Sequence, residues 1–397
     1  MSEWKEYKLG DFCEITSSKR VFYSEYVPFG VPFFRSKEII DLHNNRNIVT
    51  ELFISEDRYN EIRVKFGVPQ TDDILLTSVG SLGIPYKVKN GDRFYFKDGN
   101  LTWFRNIDKN GISPDYLMHW LCSSIGKQKL DEVTIGSTQP ALTISGLKSI
   151  DILLPPLAEQ ERIAGILSSL DDKIDLLNRQ NATLEAMAET LFRKWFVEDA
   201  KEEWKDGVIA DIIDFNPIRK LSKDTIAPFL EMSNLSTTTY APNGWYDRAF
   251  SSGTKFKNGD TLLARITPCL ENGKTAYIDF LEDEQVAWGS TEYIVMCPKC
   301  ELHPFFAYIV AKYQNFRDYA ESCMSGSSGR QRVDVDNLKG YEIKTPDSET
   351  IKQFNVCVES IVGKMNCNNN QIRSLTKLRD NLLPKLMNNE VKIQSYD

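Results

Sequence analysis

The chain has 397 residues, of which 41% are hydrophobic and 26% charged, and it carries a net charge of -8. These are globular values, enough for about two or three domains with real cores, and no stretch approaches the ~20 uncharged apolar residues of a membrane span. Eight scattered cysteines are too few and too irregular for a disulfide framework, and the acidic balance excludes a uniformly basic surface, so charge placement must decide any nucleic-acid role.

The opening, Trp4-Lys5-Glu6-Tyr7-Lys8-Leu9-Gly10-Asp11-Phe12, holds no apolar signal core, so a cytoplasmic protein is expected. It reads as a short strand and a turn. Pro32-Phe33-Phe34-Arg35-Ser36 follows, then the strand Asp73-Ile74-Leu75-Leu76, which runs into a polar loop, Thr77-Ser78-Val79-Gly80-Ser81-Leu82-Gly83. Ser113-Pro114 opens a helix, because a proline at the first turn sacrifices no hydrogen bond. A second polar loop, Gly136-Ser137-Thr138-Gln139-Pro140, precedes an apolar strand that ends at Pro155.

From Pro155 to about Asp199 the chain changes character. Ile163, Leu167, Leu170, Ile174, Leu177, Asn181, Leu184, Ala188, Leu191 and Trp195 recur at steps of four and three. That is a heptad seam, on a helix of roughly 60 Å. Arg162, Asp171, Asp172, Lys173, Arg179 and Glu185 fall off it.

The first plan then repeats. Trp204 to Ile212 answers Trp4 to Phe12, Pro228 to Met232 answers Pro32 to Ser36, and Asp260-Thr261-Leu262-Leu263 answers Asp73 to Leu76. The loop Arg265 to Lys274, the helix start His303-Pro304 and the polar loop Gly326-Ser327-Ser328-Gly329-Arg330-Gln331 complete the copy, which closes at Pro346. A second seam follows: Ile351, Phe354, Val358, Ile361, Met365, Asn368, Ile372, Leu375, Arg379, Leu382.

The fold expected is α+β, with two similar globular domains separated by two long antiparallel helices that form a coiled coil. The domains are residues 1–154 and 200–346, and the helical spacers are 155–199 and 347–397. Antiparallel pairing with Asn181 opposite Asn368 sets Ile174 against Leu375, Leu177 against Ile372, Leu184 against Met365, Ala188 against Ile361, Leu191 against Val358 and Trp195 against Phe354. Leu170 alone meets a charged residue, Arg379. A buried asparagine costs stability and fixes register. The alternative is that each helix packs only on its own domain. Pro384 should end the second helix near Leu383.

Chemistry of the chain's own is not evident. Asn216-Pro217-Ile218-Arg219 lacks the second proline and the aromatic of an adenine-methyltransferase loop and reads as a turn. There is no phosphate-binding GxxxxGK(S/T) loop. Pro346-Asp347 with Glu349 reads as a helix start with favourable early acids. Cys297 and Cys300 with His303 lack the further ligands a zinc site needs, so no metal is expected.

The proline-led run Pro155-Pro156-Leu157-Ala158-Glu159-Gln160-Glu161-Arg162-Ile163-Ala164 resembles the hinge of the specificity (S) subunits of Type I restriction-modification systems. So do Trp4 to Asp11 with its copy Trp204 to Asp211, the run Ala264 to Lys274, and Leu382-Leu383-Pro384-Lys385-Leu386. The second hinge, Thr345-Pro346-Asp347-Ser348-Glu349, departs from the pattern. The resemblance implies that each globular unit is a target recognition domain reading half of a bipartite asymmetric site in double-stranded DNA. It implies that the helices set the spacer and dock two modification (methyltransferase) subunits, which restriction (endonuclease) subunits can join. It implies no catalysis in this chain: S-adenosylmethionine, ATP and Mg would belong to the partner subunits. The competing reading is a non-catalytic adaptor with two similar domains that bind protein partners.

Side chains able to read bases or hold phosphates stand in the polar loops. The candidates are Arg35, Ser36, Lys37, Thr77, Ser78, Ser81, Ser137, Thr138 and Gln139 in the first unit. In the second they are Arg265, Thr267, Lys274, Ser327, Ser328, Arg330, Gln331 and Arg332. The aromatics Phe33, Phe34, Trp103, Phe229, Trp245 and Trp288 read as core.

Overall fold

The computed structural model describes residues 4–391 except Asn47, Cys300 and Ser328. The chain divides into two compact units, residues 1–175 with 374–397, and residues 176–373.

In the first unit, an apolar run with polar ends makes the central strand Ile74–Thr77, which is buried throughout. It pairs antiparallel with Leu101–Arg105 and with Pro85–Lys87, and Glu14–Thr16 completes a four-stranded sheet. A second sheet holds Val31–Phe34 parallel to Tyr95–Phe96. The unit's first strand, Lys5–Lys8, pairs antiparallel with its last, Asp151–Leu154.

The second unit repeats this plan. Its central strand Thr261–Ala264, also buried throughout, lies between Tyr293–Pro298 and Thr275–Tyr277, with Ile213–Phe215 at the edge. Ile226–Leu230 runs parallel to Ala287–Gly289, and Lys205–Val208 pairs with Glu342–Thr345. The acid that precedes each central strand is buried and capped in the same way. Asp73 accepts the Gln70 N–H at 2.8 Å and Trp103 Nε1 at 2.8 Å. Asp260 accepts the Lys257 N–H at 2.8 Å and Nη2 of Arg219 at 2.7 Å. Phe33, Phe34, Trp103, Phe229 and Trp288 are core, while Trp245 is half-buried and stacks on Phe280 at 3.7 Å. Asn216 also serves structure: its Oδ1 accepts the Val295 N–H at 2.9 Å, which fixes the turn expected there.

The long helices run Leu157–Phe192 and Ser348–Met387. The first ends in a wide π-turn, Arg193–Glu198. In the second unit Asn368 Nδ2 donates to Asn181 Oδ1 at 2.8 Å. The expected register also brings Trp195 to Phe354, with ring centroids 6.2 Å apart. In the first unit Arg379 does not oppose leucine as a bare charge. Its Nη1 reaches Asp171 Oδ1 at 2.8 Å. Each helix also packs on the cores: Ile163, Leu167, Leu386 and Met387 lie in the first unit's core, and Ala188, Phe192, Phe354 and Val358 in the second's. Glu185 lies off the seam but not in solvent. It is buried and accepts the hydroxyl of Tyr308.

One expectation fails here. The second helix runs through Pro384 to Met387. A proline this close to a C-terminus forfeits a single hydrogen bond, and the burial of Leu386 and Met387 holds the last turn in place. Among the described residues no helix is long and apolar enough to cross a membrane, and no group of three or more His, Cys, Asp and Glu could hold a metal ion. Cys300 lies outside the described residues.

Candidate nucleic-acid interface

The central strand of each unit ends in a loop, and a short hairpin is bonded to the start of that loop. In the first unit the hairpin pairs Thr134–Ile135 with Ala141–Leu142. Val79 bridges Ala141, and the Leu142 N–H donates to Ser78 O at 3.0 Å. The Ser78 N–H donates to Asn100 O at 2.8 Å. In the second unit the hairpin pairs Met324–Ser325 with Arg332–Val333. Ile266 bridges Arg332, the Val333 N–H donates to Arg265 O at 2.9 Å, and the Arg265 N–H donates to Glu292 O at 2.9 Å. The backbone pattern is the same bond for bond. It equates Ser78 with Arg265, Asn100 with Glu292, and Ala141 with Arg332.

Both hairpins turn through a glycine at positive φ, Gly136 at 85° and Gly326 at 127°. A Cβ at Gly136 would stand 2.8 Å from Gln139 O, and one at Gly326 3.1 Å from Arg330 O, so the tight return of the tip needs glycine.

The candidate residues separate on this frame. Ser81, Ser137, Thr138 and Gln139 are exposed in the first unit's loop and hairpin, as are Ser327, Arg330 and Arg332 in the second's. Gln331 is half-buried, and its carbonyl accepts the Thr267 N–H at 3.1 Å. Ser328 lies outside the described residues.

Two residues leave the surface. Thr77 is fully buried, and its Oγ1 accepts the Ile84 N–H at 2.9 Å. Ser78 is buried with its hydroxyl 2.6 Å from Thr102 Oγ1. Thr77 is the last residue of the central strand, and Ser78, just beyond it, turns its hydroxyl into the interior.

Others are committed to local partners. Arg35 Nη2 pairs with the buried Glu38 at 2.9 Å, and Ser36 turns its hydroxyl inward, while Lys37 is exposed. Lys274 Nζ donates to Met232 O at 2.8 Å, Thr267 Oγ1 lies 3.4 Å from Glu271, and Arg265 Nε donates to Val333 O at 3.0 Å.

Sequence reasoning missed Asn100 and Glu292. Each sits one residue before a core strand, at the end of a short polar run that was not singled out, Lys97 to Asn100 and Gly289 to Glu292. The signal was in the repeat: aligning Asn100-Leu101-Thr102 with Glu292-Tyr293-Ile294 puts both beside the loop.

A clamp fixes the proline-led helix of each unit to a long helix. Gln160, 1% exposed, accepts the Ser113 N–H at Oε1 (2.9 Å) and donates from Nε2 to Gly111 O (3.1 Å) and Pro155 O (2.9 Å). In the second unit Asn355 Oδ1 accepts the His303 N–H at 2.9 Å, and its Nδ2 donates to Glu301 O.

The family model described as the Type I restriction modification DNA specificity domain matches residues 1–186. The HindI Type I restriction enzyme specificity subunit of Haemophilus influenzae is 25% identical over 98% of this chain and 100% of its own length. The MjaIX specificity subunit of Methanocaldococcus jannaschii is 24% identical over 99% of this chain and 94% of its own. Among solved structures, the Type-I restriction-modification S subunit from M. genitalium has the same fold, with a TM-score of 0.56 at 17% identity over 97% of this chain and 96% of its own. These similarities favour a specificity subunit over an adaptor.

Proposed function

The chain belongs to the family of Type I restriction-modification specificity subunits, and on that premise we propose that each unit reads one half of a bipartite, asymmetric site in double-stranded DNA. The observation that carries this reading is the loop and hairpin built twice on the same backbone bonds, with different exposed side chains in each copy. One scaffold displaying two sets of donors and acceptors suits two different half-sites. The first set is Ser81, Ser137, Thr138 and Gln139, and the second is Arg330 and Arg332 with the half-buried Gln331 between them. Base edges in the major groove are distinguished by such groups.

In this proposal the long helices set the number of base pairs between the halves and dock two modification subunits, with restriction subunits completing the endonuclease. The chain contributes recognition and no reaction step, and it acts in the cytoplasm. S-adenosylmethionine, ATP and Mg are held by the partner subunits. The carboxamide clamps support the spacer role, since each ties a helix of its unit to a long helix.

The test is co-expression of this chain with its modification subunits, followed by mapping of methylated adenines across a genome. A divided motif with a fixed gap is expected. Methylation without sequence preference, or none, overturns the proposal.

A further inference from the structure

Laid on one another by their shared backbone bonds, the two units differ at three adjoining positions together. Ser78, Asn100 and Ala141 in the first are Arg265, Glu292 and Arg332 in the second. The first set is neutral, while the second brings two guanidinium groups and one carboxylate to the same frame.

Glu292 is the centre of that second set. Its carbonyl accepts the Arg265 N–H at 2.9 Å. Its carboxylate takes Arg332 Nε at 2.9 Å to each oxygen and Nη2 at 2.7 Å. Contact through Nε and Nη2 occupies the side edge of the guanidinium. The end edge, with Nη1 and the second hydrogen of Nη2, remains available for another planar acceptor pair. Arg332 has 46% of its side chain exposed and Glu292 has 22%. A flexible arginine is thereby held as a fixed fork at the base of the hairpin. Two parallel N–H donors match O6 and N7 of guanine, the pattern by which arginine reads that base in the major groove. Arg265 is fastened beside it by its own bond to Val333 O.

We infer that Glu292 is a positioning residue that aims the free edge of Arg332 at a guanine in the half-site read by the second unit. The first unit, with Asn100 and Ala141 in the equivalent places, has no such fork. The inference rests on the DNA-reading function proposed above and deepens it.

The experiment uses the full chain assembled with its modification subunits. Binding is measured on the mapped site and on duplexes with each base pair of either half replaced, over a range of salt. Arg332→Ala should lose about tenfold or more on the mapped site. It should also lose discrimination at one G·C pair of one half-site and leave the other half-site's preferences intact, which reports that the protein is folded. Arg332→Lys should recover overall affinity but not that discrimination, because lysine cannot fork. Glu292→Gln should blunt discrimination at the same base pair and add nothing when combined with Arg332→Ala.

Equal loss on every sequence, with the salt slope reduced by about one, would make Arg332 a phosphate contact and overturn the inference. Unchanged discrimination in Glu292→Gln would remove Glu292 from the role. If the unsubstituted complex shows no preference for a divided site, the DNA reading itself fails and takes this inference with it.

Discussion

Asn368 donates its side-chain amide to Asn181 at 2.8 Å, and Asn181 in turn donates to Asn369 at 2.9 Å. Asn369 then passes its own amide to the hydroxyl of Tyr240 at 2.6 Å. A polar layer in an apolar seam therefore continues into the body of the second unit, so the register of the helix pair and the packing of that unit are joined by one chain of hydrogen bonds.

Asn181→Ala should remove two links of that chain and leave the amides of Asn368 and Asn369 partly unpaired among apolar neighbours. The expected loss is about 1–3 kcal/mol of stability, read from denaturant unfolding. A variant as stable as the parent would show that the layer contributes nothing.

Gln160→Glu is nearly isosteric but cannot donate. Two carbonyls, Gly111 O and Pro155 O, would lose their donor and face a carboxylate. A loss of about 2 kcal/mol or more is expected, with Gln160→Ala also destabilising. Thermal melts of the three proteins side by side check this, and a melting curve for Gln160→Glu that overlays the parent's refutes the clamp.

Burial pushes the Glu185 carboxyl up to about 7, against partial relief from the Tyr308 hydroxyl and from Lys312, with Glu189 adding to the rise and a bond involving Tyr240 opposing it. Unfolded, the same group titrates near ~4.3. Between these values the folded state holds a proton that the unfolded state has lost. This contribution is therefore full below about pH 4 and is lost as pH rises through about 7, with a change on the order of 3 kcal/mol. Unfolding free energies at pH 5, 6, 7 and 8 should fall more steeply for the parent than for Glu185→Gln. Equal slopes would contradict the assignment.

Arg330 stands exposed at the hairpin tip of the second unit. Arg330→Ala should weaken binding to the cognate duplex by about 1–3 kcal/mol if it meets a guanine edge. Competition assays on cognate and scrambled duplexes distinguish this from a phosphate contact, which would weaken both alike.

The heptads made the helix register legible, because apolar spacing and a lone asparagine in each seam leave one antiparallel alignment that buries all but one pair. The repeat made the two units legible for a related reason: each short motif recurred in the same order. Thr77 and Ser78 were misread because polar residues after Leu76 look like an exposed loop, whereas the strand continues through Thr77 and both hydroxyls bond in the interior. Glu292 escaped notice because an isolated acid before a strand carries no pattern; its meaning appears only when Arg332 is brought across from the hairpin. Pro384 was given a stop signal's weight, but the buried residues beyond it outweigh one missing hydrogen bond.

Lys5–Lys8 is laced to Asp151–Leu154, and Lys205–Val208 to Glu342–Thr345. The polypeptide therefore enters and leaves each globular segment, 5–154 and 205–345, on adjacent strands of one ribbon. A segment with that layout is a cassette: recombination at its two neighbouring ends could exchange it for a differently lettered one without disturbing the helices between. Changing half of what the protein recognises would then take one crossover event on each side rather than a slow accumulation of point substitutions.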